Sequence, residues 1–442
     1  MARPLFLLVL LALTLGACYG GSGTATTLSA TTTASAAPTS TTVPASTTTT
    51  IPQPQATPPD LSGLEGLSDQ VREQLEELIE TAQEIRELPF LSSPKITVVS
   101  DVELEARVRE SIEEDIEDFP ADEALYVLLG LLDPGSELLT MLLDLYGEQV
   151  AGFYDGDTGE IVVPSHEGGL SVLQRGTLVH ELVHALTDQH FEFDPTFDAM
   201  IEGERLDQAS AYQALIEGDA TLAEVLWIQR LTQRELGEFV SESLEADSSA
   251  LQSVPQFIQD SLLFPYEAGL SFTQTLYQSG GWAAVNEAYA LFPELPASTE
   301  QVIEPDDYRR DLPVEVDINA IELEGYQLER TSTWGELGFR VMIDQVLGES
   351  TGTPAANGWG GDAYHQWFDG ENAALLLVYQ GDSELDLEEL ESALISYEET
   401  AVSEEDYGLV AVRDGSLFFI LADELEVGEQ ITQALGFPLP QP

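Results

Sequence analysis

The sequence predicts an α+β protein: a mainly helical domain with a β-hairpin just upstream of its central helix, then a small domain of ββαββα order. Three patterns predict this. Leu64, Leu67, Val71, Leu75, Leu78, Ala82, Ile85 and Leu88 recur at three- and four-residue steps, one apolar face of a helix. The period changes to two on either side of Asp155-Gly156-Asp157-Thr158-Gly159, a hairpin signal. From Tyr364 onward an order of strand, turn, strand and helix occurs twice, with turns at Asp369-Gly370 and Asp414-Gly415.

In chain order, residues 1–17 read as a signal peptide. Arg3 precedes an apolar run from Leu5 to Leu15, too short to span a bilayer, and Gly16-Ala17 precede Cys18. Leu15-Gly16-Ala17-Cys18 resembles the bacterial lipobox, which implies lipidation at Cys18 and a membrane-anchored protein on the extracytoplasmic face. Residues 18–60 are dominated by Gly, Ser, Thr, Ala and Pro and lack the apolar area that folding needs, so they form a tether spanning about 35 Å as a flexible coil. The helical domain takes in 61–350. Its first helix ends at Pro89, a strand follows at 95–100, and Ser100 with Glu103 makes a capping box for a second helix. A helical region at 122–146 is interrupted at Asp133-Pro134-Gly135, and hairpin strands follow at 149–154 and 160–163. Further helices are expected at 177–186, at 204–231, across 256–292 with breaks at Pro265 and Gly280-Gly281, and at 335–347. Residues 293–322 are proline- and acid-rich, a connection. The C-terminal domain, 351–442, is expected to be a four-stranded antiparallel sheet covered on one face by two helices.

Charge excludes one class of function. Against 80 Asp and Glu stand 15 Lys and Arg, a formal net charge of -65. A surface that binds nucleic-acid phosphates needs clustered cations, and this chain has a single lysine, Lys95, and no basic run. The acidity reads as a strongly hydrated surface. One cysteine leaves no intramolecular disulfide.

The chemistry lies in Thr177-Leu178-Val179-His180-Glu181-Leu182-Val183-His184-Ala185-Leu186. His180 and His184 are one turn apart, so both imidazoles leave the same helix face and can meet one Zn2+ at about 2.0–2.1 Å. Glu181 follows the first histidine, placed to take a proton from a water that the metal activates. Two residues compete to be the third ligand. His190 lies ten residues after His180, but on an unbroken helix it points about 80° away, and Thr187 stands where a glycine would let the chain turn back. Glu217, in Ala214-Leu215-Ile216-Glu217-Gly218-Asp219-Ala220, sits on a helix with a buried face, where a carboxylate needs a partner. His166 lies in a polar, Gly-rich loop.

The stretch from His180 to Asp188 resembles the active-site helix of thermolysin-type gluzincins, whose third ligand is a glutamate on a following helix. The chain is more closely similar to a family of bacterial secreted proteins and lipoproteins with a zinc-peptidase signature. Matching stretches are Ala151-Gly152-Phe153-Tyr154-Asp155, 180–191, Glu217-Gly218-Asp219-Ala220, Phe264-Pro265-Tyr266, Gly280-Gly281-Trp282, Ser298-Thr299-Glu300-Gln301 and Gly358-Trp359-Gly360-Gly361-Asp362. Glu304 and Ala363 depart from that pattern, standing where a histidine and an arginine are expected.

The resemblance implies a zincin-like metallopeptidase. His180, His184 and Glu217 would hold Zn2+, Glu181 would act as general base, and the hairpin strand would pair with an extended peptide. Tyr266, Tyr364 and His365 are candidate oxyanion donors, and Asp188 and Asp219 candidate partners for the ligand imidazoles. The expected function is that of a membrane-anchored, extracytoplasmic zinc peptidase acting on peptides or proteins of the cell envelope. Two alternatives stay open: a non-catalytic zinc-containing binding lipoprotein, and a metallohydrolase acting on amide or ester bonds of cell-envelope material.

Overall fold

The computed structural model describes residues 9–11, 68–113, 119–156, 158–164, 169–245, 249–290 and 295–439. Cys18, the tether, Leu64, Leu67 and His166 lie outside these residues, as does all of the signal segment except 9–11. Strand β1 (Val9–Leu11) runs antiparallel to a later strand. Helix α1 (Asp69–Arg86) begins where the Ser68 side chain accepts the Val71 N–H, and it buries Val71, Leu75, Leu78, Ala82 and Ile85 of the periodic face read from sequence, together with Ile79. After it come β2 (Lys95–Val99), α2 (Asp101–Glu113), α3 (Phe119–Leu128) and α4 (Leu138–Gln149). Ser100 accepts the Glu103 N–H at 3.2 Å, while the Glu103 carboxylate pairs with Arg107 at 3.1 Å instead of closing the box.

The hairpin is present as β3 (Val150–Asp155) and β4 (Glu160–Pro164), with Phe153 opposite Val162 and Asp155 opposite Glu160. It is not isolated. Strand β2 adds in parallel to β4, Lys95 opposite Glu160 through Val99 opposite Pro164, giving the order β1-β3-β4-β2.

Helix α5 (Val172–Phe191) carries both histidines and Glu181, and opens with a complete capping box between Ser171 and Gln174. Helices α6 (Phe193–Glu202), α7 (Leu206–Ile228), α8 (Gln233–Glu245), α9 (Ser249–Ser253), α10 (Gln256–Gly280), α11 (Trp282–Ala288) and α12 (Thr299–Ile303) follow. A break expected at Pro265 is absent: α10 continues through it. Proline removes one helical hydrogen bond, but Phe264 and Pro265 are buried, and the packing of α10 on α7 holds the helix together.

That packing depends on two glycines. A Cβ on Gly218 would stand 2.1 Å from the Gly269 carbonyl oxygen, and one on Gly269 would stand 2.2 Å from that of Ala214. Thr273 Oγ1 donates across the contact to the Gly218 carbonyl at 2.9 Å. Glycine at 218 therefore serves close backbone approach, and it fixes Glu217 one residue away. Gly218→Ala is expected to destabilise by about 3 kcal/mol or more, because two rigid backbones must separate. Thermal melting would show a drop in Tm of roughly 5 °C or more; an unchanged Tm would contradict the contact.

The C-terminal region is formed by β5 (Gln327–Ser332), α13 (Gly335–Leu347), α14 (Glu349–Ala356), β6 (Trp359–Phe368), β7 (Ala373–Gly381), α15 (Glu384–Ala401), β8 (Tyr407–Arg413), β9 (Ser416–Ala422) and α16 (Leu425–Ala434). The repeated order and both turns are present, but the sheet has five strands, ordered β5-β6-β7-β9-β8 and antiparallel throughout. The added edge strand comes from before residue 350, so a division at 350/351 cuts across the sheet.

The expectation that two helices share one face is also corrected. Leu375, Leu377 and Tyr379 pack with Leu390, Leu394 and Tyr397 of α15, whereas Ala374, Leu376 and Val378 pack with Val427 and Ile431 of α16. Successive residues of a strand face opposite ways, and β7 is an unbroken apolar run, so both faces need cover. The α15 face shares its core with α3, α4, α9 and α13, which binds the sheet to the helical region.

Candidate metal centre

Helix α5 is buried along most of its length, including Thr177 to Thr187. Its histidine face turns toward α7, where the glycine contact seats Glu217. His180 Nε2 lies 3.0 Å and His184 Nε2 3.3 Å from the same Glu217 oxygen, Oε2. A tetrahedral ion with bonds of about 2.0–2.1 Å separates its ligand atoms by about 3.3 Å, close to both distances to Glu217, and all three donor atoms lie within 4.8 Å of one another. His180, His184 and Glu217 are each about 1% exposed and form a group able to bind a metal ion.

The electrostatics are those of a site that gathers charge. Burial alone would lower the His180 pKa, but Glu217 and Glu224 hold it above its ordinary value. Burial lowers that of His184. The same burial would raise Glu217, yet the two imidazoles outweigh it and pull that carboxyl down.

Glu181 is fully buried, and burial pushes its carboxyl up to about 8. The Tyr154 backbone N–H, on β3, eases that shift without closing a hydrogen bond, and neither carboxylate oxygen has a partner among the described residues. An unsatisfied buried carboxylate is costly. It lies beside the three side chains that could hold a metal ion.

The alternative third ligand, His190, is elsewhere. Helix α5 runs unbroken past it, and its Nε2 donates to the Pro89 carbonyl at 2.7 Å, tying the end of α5 to the turn after α1.

The two aspartates proposed to orient the imidazoles have other partners. Asp188 accepts the Tyr154 hydroxyl at 2.8 Å. Asp219 is clamped by Arg86, Nε at 2.7 Å and Nη2 at 2.9 Å, and accepts the Tyr289 hydroxyl at 2.9 Å. Arg86 and Asp219 are both wholly buried, with the guanidinium 4.3 Å from the Trp282 ring centre. This two-point ion pair locks α1 to α7, two residues along α7 from Glu217.

Of the candidate oxyanion donors, Tyr266 is at the site, its ring 6.2 Å from that of His180. Tyr364 and His365 are not. Tyr364 stacks edge-on against Trp334 near Arg330, and His365 lies against Trp367 on the α16 side of the sheet. A residue not picked out from sequence is Glu224, whose carboxylate lies 3.7 Å from His180 Nδ1. Its signal was its spacing: seven residues after Glu217, it shares that face of α7 two turns on. At that distance it is a charge neighbour of the imidazole and not a hydrogen-bond partner.

A separate cavity of about 350 Å³ is lined by Tyr126, Leu206, Gln213, Pro265, Arg330 and Trp334, among others. None of His180, Glu181, His184 and Glu217 lines it.

Against known proteins, a family model described as a domain of unknown function, DUF8575, matches residues 324–425, from just before β5 to the start of α16. No curated protein matches the chain. A solved structure of a proposed hydrolase with a novel fold from Chloroflexus aurantiacus is 15% identical, covering 56% of this chain and 92% of that one at a TM-score of 0.37.

Proposed function

We propose that the chain is a zinc-dependent hydrolase of peptide bonds, with His180, His184 and Glu217 as the zinc ligands and Glu181 as general base. One observation carries the reading: a fully buried carboxylate with no hydrogen-bond partner among the described residues, next in sequence to one of three converging side chains that could hold a metal ion. Two imidazoles and a carboxylate suit zinc, whose catalytic sites commonly take three protein ligands and keep a fourth position open. Bound there, the ion supplies Lewis-acid polarisation of a carbonyl and acidification of a water. Glu181 would take a proton from the attacking water and pass it to the leaving amine nitrogen. Tyr266 stands over His180, where its hydroxyl is the candidate donor to the developing oxyanion. Glu224 lies 3.7 Å from His180 Nδ1, where its negative charge favours a cation at the site.

A peptide substrate is supported by β3. Its backbone reaches Glu181 at Tyr154, and its outer edge pairs antiparallel with Val9–Leu11, a segment inside the signal peptide read from sequence. Removal of that peptide would leave an edge strand open to an extended substrate. Anchoring through Cys18 would place the activity at the extracytoplasmic membrane face.

Burial favours a second reading, a metal held for structure alone: all four side chains are at most about 1% exposed. The two part experimentally. The first expects the zinc-loaded chain to cut an unbiased peptide library, to stop on chelation, and to resume when zinc is returned. An uncut library with zinc retained would favour the structural reading; an uncut library with altered cell-envelope fractions would move the substrate to other amide or ester bonds.

A further inference from the structure

A second cluster of carboxylates lies outside the metal centre. Glu300 on α12, Asp311 in the irregular segment that follows, and Asp382 in the turn after β7 bring one oxygen each to within 4.8 Å of one another. Three separate stretches of chain are held in place to do so. The Gln301 side chain donates to the Asp311 carbonyl, the Asp382 N–H to the Gly358 carbonyl at 3.0 Å, and the Val314 N–H to the Gly360 carbonyl at 2.7 Å. The Ser298-Thr299-Glu300-Gln301 stretch and the Gly358-Trp359-Gly360-Gly361-Asp362 stretch, neither used by the metal centre, are thus the two walls of this cluster.

Glu300 is the observation that points to a ligand. It is 95% buried (5% exposed), its carboxylate is aimed at the other two, and no donor serves it among the described residues. No arginine or lysine pairs with any of the three among those residues, and Arg340 is engaged by Glu336. Burial first, then the negative charges of Glu336, Asp382, Asp311 and Asp307, push the Glu300 carboxyl up to about 9. An anionic cluster of this kind is stable only with its charge neutralised.

We infer that Glu300, Asp311 and Asp382 form a binding site for a hard divalent cation of the calcium type, which pins α12 and the 304–326 segment to the end of β7. The donors are all oxygen, which suits calcium and not zinc. Asp382 is exposed, so water completes the shell from the open side.

The test is calcium titration of the full, zinc-loaded chain in physiological salt, read by equilibrium dialysis and by thermal melting. The parent is expected to bind about one calcium per chain above the diffuse background and to gain roughly 5 °C in Tm at saturation. Asp382→Asn, at an exposed position, and Glu300→Gln, a neutral side chain of the same shape, should each bind calcium at least tenfold more weakly and lose the Tm gain. Without calcium, both should melt at or above the parent, because each relieves repulsion. Equal calcium binding by parent and both variants, or no calcium-dependent Tm shift in the parent, would overturn the site. Zinc content stays at the parental level in every case, which separates this outcome from failure of the metal centre.

Discussion

Glu181→Gln is expected to lower the rate of peptide hydrolysis by about 10²–10⁴-fold, the contribution of a positioned general base, while zinc per chain stays unchanged. Glutamine keeps the shape of the side chain but accepts no proton at the pH of the assay. Glu181 does not share in the contact made by His180, His184 and Glu217, so the metal should not notice the change. Stability should hold or rise, since a buried carboxylate without partners among the described residues is exchanged for a neutral group. Paired zinc analysis and single-turnover cleavage read both effects. Full activity in the variant would remove Glu181 from the chemistry; loss of zinc would make it a ligand.

The second large effect is at Glu217. Its Oε2 is the point on which both imidazoles converge, so Glu217→Ala takes away one of the three proposed ligands and the negative charge that favours a cation there. Loss of a supporting residue behind a ligand typically weakens metal binding by about 10–100-fold; loss of the ligand itself should exceed that, to about 100-fold or more. His190→Ala is the matched control. Its ring bonds the Pro89 carbonyl, so it should keep the metal and lose only about 1 kcal/mol of stability. Competition with a chromogenic chelator measures both affinities. Equal losses in the two variants, or a loss at His190 alone, would reverse the ligand assignment.

Much of this centre was legible in the chain because its logic is local. His180 and His184 are one helical turn apart, Glu181 is between them, and no tertiary contact is needed to put the two rings on one face. Glu217 was legible for a different reason, as a carboxylate on an otherwise apolar helix face. What could not be read are the relations between segments far apart. Arg86 meets Asp219 across 133 residues, and nothing around either position announces the other. Asp219 was accordingly expected beside an imidazole, when it anchors α1 instead. Glu224 was within reach of the same spacing argument that governs His180 and His184, yet it lies outside the motif.

The fold divides the same way. The elements of the hairpin and the repeated strand-turn-strand-helix order follow from alternation and turn residues. The unbroken α10 does not: a proline that ends isolated helices is overridden by burial against α7. The C-terminal sheet shows the limit of alternation itself. In β7 both parities are apolar, which says that both faces are covered but leaves the covering elements to the tertiary structure, and α15 and α16 take one face each.

The measurement that bears most directly on the central claim is zinc per chain, by elemental analysis of the purified full chain after incubation with the metal and removal of the excess. The account predicts about one tightly held zinc, retained by His190→Ala and lost by Glu217→Ala. A folded parent that holds no zinc would contradict it, and the convergence of His180, His184 and Glu217 would then be a buried hydrogen-bonded cluster without catalytic meaning.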